Sequence, residues 1–235
     1  MLTEAIGVAV PAHDEQVLLP ACLAALREAA RRPGVPPVRI VVVADSCRDD
    51  TASVARAAGA EVVEIGARNA GAARACGLGL ISATSRVPTE QLWLATTDAD
   101  SRVPPDWFTR QLQCRADGWD AVVGTVVVDD WSAHREQTAA HFARHYGASR
   151  DEHPHVHGAN LGLSGTAYHR IGGFPRLALA EDHALVAALT RCGLRIARPG
   201  DLPVVTSARR DPRAAGGFGE LLCSLEVPSE EAASA

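Results

Sequence analysis

The sequence predicts an α/β protein built on a mostly parallel, doubly wound sheet with helices on both faces. Short β-rich runs alternate with helical segments as far as residue 97, and this alternation is typical of parallel sheets with right-handed crossovers. Residues 39–44 are almost entirely apolar, as expected of a strand covered on both faces. A second apolar run, residues 91–97, ends abruptly at Asp98 and Asp100.

The elements before the acidic pair follow from local patterns. Residues 5–11 form a β-rich run that Pro11 ends, and apolar residues at helical spacing then predict a helix to Arg32. The remaining elements of this half are predicted as strand 39–44, helix 51–58, strand 61–65, a small-residue helix 69–80 and strand 91–97.

The elements after the acidic pair are predicted in the same way. Gly172 and Gly173 end one helix, because glycine adopts positive φ at little cost. We expect one domain over residues 1–225 and a disordered tail at 226–235. The predicted elements are helix 105–114, strand 119–128, amphipathic helix 131–148, helix 167–171, a helix from 180 to Gly193, strand 194–197 and helix 220–225.

Composition excludes several classes of function. With 47% apolar and 22% charged residues the chain is an ordinary globular protein. A net charge of −5 argues against non-specific binding to nucleic acid or to a membrane surface, both of which favour a basic face. The sequence contains no lysine, which excludes a P-loop lysine and a Schiff-base lysine.

Hydropathy and cysteine spacing limit the class of protein that the sequence can encode. No apolar stretch reaches the roughly 20 residues of a spanning helix, so we expect a soluble, cytoplasmic protein without a transmembrane segment. The six cysteines show no Cys-x-x-Cys pair or regular short spacing. They are therefore expected to be small, mostly buried thiols and not a zinc or disulfide framework.

Asp98 and Asp100 form the first candidate site. In an extended chain residues i and i+2 point the same way, so the two carboxylates would stand about 6 to 7 Å apart and could share a divalent cation. Alternatively, Asp98 or Ser101 caps the helix that begins near Pro105. A position after a buried strand favours the ligand site, since ligands of open α/β sheets bind outside the carboxyl ends of strands. The loops after three predicted strands carry Glu15, Asp45, Asp49 and Asp98, and these acidic loops are expected to converge on that edge.

Four segments occur in an order that resembles glycosyltransferase family 2, whose members are inverting enzymes of the GT-A fold. The resemblance covers about residues 5 to 225. It implies a Rossmann-like sheet with a nucleotide-binding half at 1–101 and an acceptor half, with a small mixed region, at 102–225. The segments are Val10–Glu15, Val43–Thr51, Thr97–Ser101, and Gly172–Phe174 followed by Glu181 and Asp182.

The resemblance assigns roles in the nucleotide-binding half by position. The turn from Pro11 and Ala12 to Glu15 is similar to the segment that contacts the base and ribose. Asp45 matches the second member of an acidic pair that holds the base, whereas Ala44 stands where the first member would be. Arg74 is similar to a basic residue that approaches the diphosphate.

The same resemblance assigns the metal and the catalytic base. Asp98, Ala99 and Asp100 match the family's metal and ribose motif, and Mg²⁺ or Mn²⁺ suits two carboxylates beside a diphosphate. Asp182 matches the catalytic base, with Glu181 orienting the acceptor. Inversion requires only one base, on the face opposite the leaving group. Capping of the following helix remains an alternative for Glu181 and Asp182.

Other candidates rest on weaker patterns. His157 and Asn160 lie where the family's acceptor site forms. His153, His155 and His157 alternate, which in a strand would align three imidazoles for a metal, whereas an exposed acceptor loop is the other interpretation. A mobile lid could bring guanidinium groups to the diphosphate, although a solvated basic loop explains them as well. The lid candidates are Arg209, Arg210 and Arg213.

The predicted function is therefore metal-dependent, inverting transfer of a sugar from a UDP-, GDP- or dTDP-sugar to an acceptor hydroxyl. The sequence does not identify the acceptor and does not decide whether the protein forms a homodimer. Two alternatives remain, a nucleotidyltransferase and a non-catalytic nucleotide-sugar-binding protein of the same fold. A dinucleotide dehydrogenase is disfavoured because no Gly-x-Gly-x-x-Gly follows the first strand.

Overall fold

A seven-stranded sheet forms the centre of the protein. The computed structural model describes residues 2–146, 153–210 and 218–226. The strands are β1 (Ala5–Ala12), β2 (Val38–Asp45), β3 (Glu61–Ile65), β4 (Leu92–Thr96), β5 (Ser101–Arg102), β6 (Ala121–Val123), β7 (Thr125–Val127), β8 (Leu161–Ser164), β9 (Ile196–Ala197) and β10 (Pro203–Thr206). The large sheet has the order β3-β2-β1-β4-β8-β6-β9, and β8 alone runs antiparallel to its neighbours β4 and β6.

Helices cover both faces of this sheet. They are α1 (Leu19–Ala30), α2 (Thr51–Ala57), α3 (Ala70–Thr84), α4 (Trp107–Ala116), α5 (Glu136–Tyr146), α6 (Gly165–Arg170), α7 (Glu181–Arg191) and α8 (Phe218–Ser224). Because side chains alternate along a strand, Val8 and Val10 of β1 pack with α1, α2 and α4, whereas Ala9 packs with α3, α6 and α7. The predicted mostly parallel sheet with two helical layers is confirmed.

The first half of the chain follows the sequence prediction closely. Strand β3 has the predicted bounds. Strand β1 and helix α2 differ from theirs by one residue at one end, and β2 and β4 by one residue at each end. Helix α3 starts after Asn69, whose side chain accepts a hydrogen bond from the Ala72 N–H (2.8 Å), and it continues to Thr84 instead of ending at residue 80.

The predicted long strand at 119–128 is wrong. Gly124 divides it into β6, in the large sheet, and β7, in a second sheet of order β5-β10-β7. The Gly124 N–H donates to the Asn160 carbonyl (3.0 Å), and a Cβ at this position would lie 2.6 Å from Asn160 Cγ. The close approach of Asn160 therefore requires glycine and turns the chain out of the first sheet.

Several other boundaries differ from the prediction. Helix α5 begins at Glu136 and not at residue 131, because a turn at 132–134 precedes it. Its predicted end at 148 lies outside the described residues. Strands β8 and β10 were not predicted, since each has only four residues. Of the expected tail at 226–235, only Glu226 is described, and its carboxylate bonds to His134 (3.0 Å) and Arg210 (2.8 Å).

A small third cluster of apolar residues lies beside the second sheet. Phe142 of α5, Leu222 of α8 and Ala208 form its buried centre, and Trp131 and Phe218 pack against them. This cluster fixes the segment that follows β10. Within the three described ranges, no helix is both long and apolar enough to cross a bilayer.

Candidate active site

The acidic pair lies in a tight turn immediately after β4. The Ser101 N–H donates to the Asp98 carbonyl (3.1 Å) and closes the turn. The extended geometry expected for Asp98 and Asp100 is therefore wrong. Ala99, expected to contact the donor, has its side chain buried in the core. Beyond the turn, the Ser101 hydroxyl donates to Thr206 Oγ1 (2.9 Å), which ties the acidic turn to β10.

Arg74 joins this turn to the start of α7. Its guanidinium is buried and forms ion pairs with both Asp98 and Glu181. Burial opposes the charged form, but the neighbouring carboxylates outweigh it and raise the pKa of Arg74 above its ordinary value. The residue expected to approach the diphosphate is thus a buried cation that connects the two acidic motifs. Asp98 lies 24 residues and Glu181 lies 107 residues after Arg74 in the chain.

Helix α7 begins with Glu181 and Asp182. Ala180 precedes them in a left-handed conformation (φ 55°), and no side chain of that residue caps the helix. Asp182 is partly exposed and accepts hydrogen bonds from the N–H groups of Gly158 (2.9 Å) and His183 (2.8 Å). The bond to His183 is a local helix-terminal contact, whereas the bond to Gly158 fixes the carboxylate against the segment before β8. Glu181 faces Arg74 and not open space.

Arg209 closes the other side of the acidic turn. Its guanidinium lies 2.9 Å from Asp100 Oδ2 and 2.6 Å from Glu15 Oε1. Burial raises the pKa of Asp100, the charge of Arg209 opposes that rise, and the charge of Asp98 adds to it. Burial and then the charges of Asp100 and Asp98 likewise raise the pKa of the nearby Cys22 thiol.

The cluster as a whole carries an excess of negative charge. Two guanidinium groups face five carboxylates, which leaves a formal charge of −3 when all are ionised. Carboxylates packed together in this way favour a cation between them. The groups are Arg74, Arg209, Glu15, Asp98, Asp100, Glu181 and Asp182.

Asp45 stabilises the loop between β3 and α3. Its buried carboxylate accepts hydrogen bonds from the N–H groups of Ala67 (2.8 Å), Arg68 (2.7 Å) and Asn69 (2.7 Å), and from the Ser46 hydroxyl (3.0 Å). The residue expected to hold the base therefore has its oxygens engaged by this loop. Asp45 would therefore act on a bound ligand indirectly, by holding the backbone of residues 67–69 in position.

The turn after β1 borders a cavity of about 470 Å³. Pro11 and Ala12 end the strand, and the cavity lies between the turn, the β2–α2 loop and Arg209. His13, Asp14 and Cys47 lie beside it, with ligand atoms within 4.8 Å of one another. In residues 2–146, 153–210 and 218–226 this is the only such group of three His, Cys, Asp or Glu side chains. No sequence motif predicted it, because Cys47 is distant in sequence from His13 and Asp14.

The three alternating histidines do not form a strand. His155 and His157 stack with Tyr146, and His153 stacks on His155. Every Nε2 atom has a protein partner: Val123 O for His153 (3.1 Å), Tyr146 O for His155 (2.5 Å) and the Tyr146 hydroxyl for His157 (2.9 Å). These contacts give no support to a metal site there, and a buried His153 is inconsistent with an exposed loop.

Asn160 is also part of the scaffold. Its side chain is fully buried, accepts from Trp107 Nε1 (2.8 Å) and donates to the carbonyls of Thr125 (2.8 Å) and Leu202 (2.7 Å). A contact between this amide and an acceptor is therefore not supported. No local sequence pattern indicates this role, because all three partners lie at least 35 residues from Asn160 along the chain.

The lid candidates Arg209 and Arg210 have different surroundings. Arg209 is in the site, whereas Arg210 pairs with Glu226 (2.8 Å) and donates to the Ala133 carbonyl (3.4 Å). Arg213 lies outside the described residues. Of the two described lid candidates, Arg209 is the one placed to meet a ligand at the acidic turn.

The order of the acidic motifs on this fold agrees with a comparison against known families. Residues 7–172 match the family model described as Glycosyl transferase family 2. The chain belongs to this family. A search of curated protein sequences finds no match.

Solved structures similar to the chain have the GT-A fold, which is therefore the fold of this protein. A mannosyltransferase from Pyrobaculum calidifontis, in complex with GDP-Man and Mn²⁺, matches with a TM-score of 0.64 and 20% identity over 95% of this chain and 69% of that one. S. aureus TarS in complex with UDP-GlcNAc matches with a TM-score of 0.63 and 14% identity over 91% of this chain and 61% of the TarS chain. M. tuberculosis glucosyl-3-phosphoglycerate synthase matches with a TM-score of 0.61 and 18% identity over 95% of this chain and 77% of the synthase chain.

The chain is shorter than these relatives. It spans 61% of the TarS chain. At these identities the likeness shows the fold alone, so the donor, acceptor and reaction rest on the site.

Proposed function

We propose that the protein is a metal-dependent, inverting glycosyltransferase that uses a nucleoside diphosphate sugar and an acceptor hydroxyl. The observation that carries this proposal is the buried Arg74, which holds Asp98 of the acidic turn and Glu181 of α7 in one cluster. It brings a carboxylate pair suited to a cation beside Asp182, a carboxylate suited to accept a proton. Membership of family 2 supports the same reading.

Mg²⁺ or Mn²⁺ fits the acidic turn by the chemistry of its donors. Both ions take oxygen ligands, and Mg²⁺ is commonly held by one or two carboxylates with phosphate and water completing the shell. Asp98 and Asp100 supply the carboxylates, and the formal charge of −3 in the cluster favours an added cation. When bound, the ion would neutralise charge on the diphosphate leaving group.

The cavity beside Glu15 and Arg209 supports a nucleotide donor. Its volume of about 470 Å³ is in the range of small-molecule sites, roughly 300 to 1,000 Å³. The complexes of the mannosyltransferase with GDP-Man and of TarS with UDP-GlcNAc support a nucleotide sugar as the class of donor. We propose a UDP-, GDP- or dTDP-sugar, with the loop at 67–69 and the turn at 11–15 around the nucleoside.

Asp182 is proposed as the general base. As the acceptor oxygen bonds to the anomeric carbon, the bond from that carbon to the diphosphate oxygen breaks, and the hydroxyl proton passes to Asp182. Each carboxylate oxygen already accepts one backbone N–H and retains a further lone pair for the proton. Glu181 holds Arg74 in this arrangement instead of contacting the acceptor.

Asp182→Asn tests the assignment of the base. The amide has the same shape but cannot take up the proton, so we expect turnover to fall by about 10²- to 10⁴-fold. The assay measures release of nucleoside diphosphate, while thermal shift follows donor binding, which should persist. Asp117→Asn, at an exposed aspartate after α4, is the matched control. Normal turnover by the Asp182 variant would show that another group is the base.

The released product separates this function from its alternatives. Nucleoside diphosphate is the product of sugar transfer, whereas pyrophosphate would indicate a nucleotidyltransferase. Selective thermal stabilisation by one nucleotide sugar with Mn²⁺, without any product, would indicate a binding protein. The same screen with UDP-, GDP- and dTDP-sugars would identify the donor.

A further inference from the structure

Arg209 occupies the outer side of the proposed metal site. One guanidinium nitrogen lies 2.9 Å from Asp100 Oδ2 and the other lies 2.6 Å from Glu15 Oε1. Both carboxylates are poorly exposed, with 12% of the Asp100 side chain and 6% of the Glu15 side chain accessible to solvent. Arg74 pairs with Asp98 of the acidic turn, and the guanidinium of Arg209 is the cation next to Asp100.

The backbone around Arg209 is fixed on both sides. Before it, Thr206 is held by β5 and by the Ser101 hydroxyl (2.9 Å), and His134 Nε2 donates to the Ala208 carbonyl (2.5 Å). After it, Arg210 pairs with Glu226 (2.8 Å). A change of ligand at Asp100 can therefore be accommodated by rotation of the Arg209 side chain, while the main chain stays in place.

Arg74 differs from Arg209 in this respect. It is buried and paired with Asp98 and Glu181 at once, so that removing it would leave two carboxylates without their partner. Arg209 has 24% of its side chain exposed and lines the open cavity beside the site. Of these two arginines, Arg209 is the one that a ligand can reach and displace.

We infer that Arg209 fills the cation position at Asp100 in the free protein and exchanges with the divalent ion when a nucleoside diphosphate binds. The inference rests on the proposed metal-dependent function. A guanidinium and a hard cation compete for the same carboxylate oxygen, so the ion alone binds weakly. A diphosphate removes this competition because it offers Arg209 oxygens with the fork geometry that arginine prefers. Metal and nucleotide then bind cooperatively, each increasing the affinity for the other.

Titration with Mn²⁺ alone, followed by the electron paramagnetic resonance signal of the free ion, tests this inference. Arg209→Ala should bind Mn²⁺ without nucleotide about fivefold or more tightly than the wild type, which is the lower end of usual coupling effects. The gain in Mn²⁺ affinity on adding UDP, GDP or dTDP should be correspondingly smaller in the variant. Arg209→Lys keeps the positive charge, so its Mn²⁺ affinity without nucleotide should lie closer to the wild type than that of Arg209→Ala. Because lysine lacks the guanidinium fork, its gain in Mn²⁺ affinity on adding a nucleoside diphosphate should be smaller than in the wild type.

Arg56→Ala is the control for the change in net charge. Arg56 pairs with Glu64 on the exposed surface of α2 and β3, and its loss should leave Mn²⁺ binding unchanged. Equal Mn²⁺ affinity of wild type and Arg209→Ala would overturn the inference while leaving the metal site intact. Failure of the wild type to bind Mn²⁺ even with each nucleoside diphosphate would instead overturn the proposed metal-dependent function, and this inference with it.

Discussion

His157 lies against the Tyr146 side chain. The Tyr146 hydroxyl accepts a hydrogen bond from the Val126 N–H (2.8 Å) and lies 2.9 Å from Nε2 of His157, where it can donate its own proton to a neutral imidazole. Burial, followed by the charge of His155, lowers the pKa of His157 from its ordinary 6.5 to about 4. The hydrogen bond to Tyr146 is compatible with the neutral imidazole that the lowered pKa favours.

This histidine should make the protein sensitive to mild acid. The folded state takes up the proton only near pH 4, whereas the unfolded state takes it up near 6.5. Stability contributed by neutral His157 is therefore present above pH 6.5 and is lost as the pH falls towards 4. The loss is up to about 3 kcal/mol, less a reduction for the part of the ring that solvent reaches.

Urea unfolding at several values between pH 7.5 and 4.5 measures this dependence. His157→Gln replaces the imidazole with an amide that does not titrate. The free energy of unfolding of this variant should therefore depend less on pH in that window than that of the wild type. His169→Gln, at an exposed histidine of α6 that bonds to Ser82 (2.8 Å), should retain the wild-type slope. A His157→Gln profile that parallels the wild type would assign the acid sensitivity to other groups.

Among the secondary-structure elements, the loops at the carboxyl edge of the sheet carry the backbone strain. In the described part of the chain, the non-glycine residues with positive φ are Asp14, Ser46, Arg68 and Ala180. The first three follow β1, β2 and β3, and Ala180 precedes α7. Such conformations cost about 1 to 3 kcal/mol each and persist where surrounding contacts impose them. Their concentration at one edge agrees with a site built from these loops.

Helix α3 meets the loop before α7 at Gly71. A Cβ there would lie 2.6 Å from the Pro175 carbonyl and 2.9 Å from Glu181 Cβ, and still closer to the Leu177 carbonyl. Gly71→Ala should therefore displace Glu181 from Arg74, costing about 1 to 3 kcal/mol of stability and reducing turnover. Chemical denaturation and a nucleoside diphosphate release assay measure the two effects.

Gly79 provides the matched control in the same helix. A Cβ at Gly79 would meet only the Tyr168 hydroxyl, at 3.8 Å. Gly79→Ala should stabilise the protein by about 0.5 to 1 kcal/mol through helix propensity and leave turnover unchanged. If Gly71→Ala behaved like Gly79→Ala, the close packing of α3 against the loop at 175–181 would not be needed for the site.

The elements that the sequence predicted well are those with a strong local pattern. Strands β1, β2 and β4 contain buried apolar runs, and β3 is a short, partly exposed run of β-branched residues between two glutamates. Helix α1 has regular apolar spacing. The break at Gly124 was missed because it depends on Asn160, a residue distant in sequence. Strand β10 is too short to give a pattern of its own.

The site was predicted in its residue types but not in its pairings. The acidic turn, Arg74, Glu181 and Arg209 were all candidates from their positions in motifs. Nothing local indicates that Arg74 bridges Asp98 and Glu181, or that Arg209 reaches Asp100. Ion pairs between distant segments are set by the packing of the sheet, which a linear pattern does not contain.

At the scale of the whole molecule, backbone hydrogen bonds between strands join the two predicted halves. Strand β4, from residues 1–101, pairs with β8 from the second half, and the acidic turn connects through β5 to β10. The division into a nucleotide-binding half and an acceptor half remains a prediction about ligands. In structural terms each half forms a contiguous block of the large sheet, and the blocks join where β4 pairs with β8 and again where β5 pairs with β10.

Asn160 connects the large sheet, the small sheet and α4. Its side chain satisfies Trp107 Nε1 and the carbonyls of Thr125 and Leu202, all at 2.7 to 2.8 Å and with no exposure to solvent. Asn160→Ala leaves these three groups without their partner. Since each buried unsatisfied polar group costs about 1 to 3 kcal/mol, we expect the free energy of unfolding to fall by about 3 kcal/mol or more.

Equilibrium urea unfolding, followed by tryptophan fluorescence and by circular dichroism, measures this loss. The two signals should shift together to lower urea, because the contacts of Asn160 span both sheets and their removal weakens one cooperative unit. Gln113→Ala removes an exposed amide of α4 that bonds to Asp117 (3.0 Å), and its effect should stay within about 0.5 kcal/mol. Separate transitions in the Asn160 variant would show that the small sheet unfolds independently of the large one.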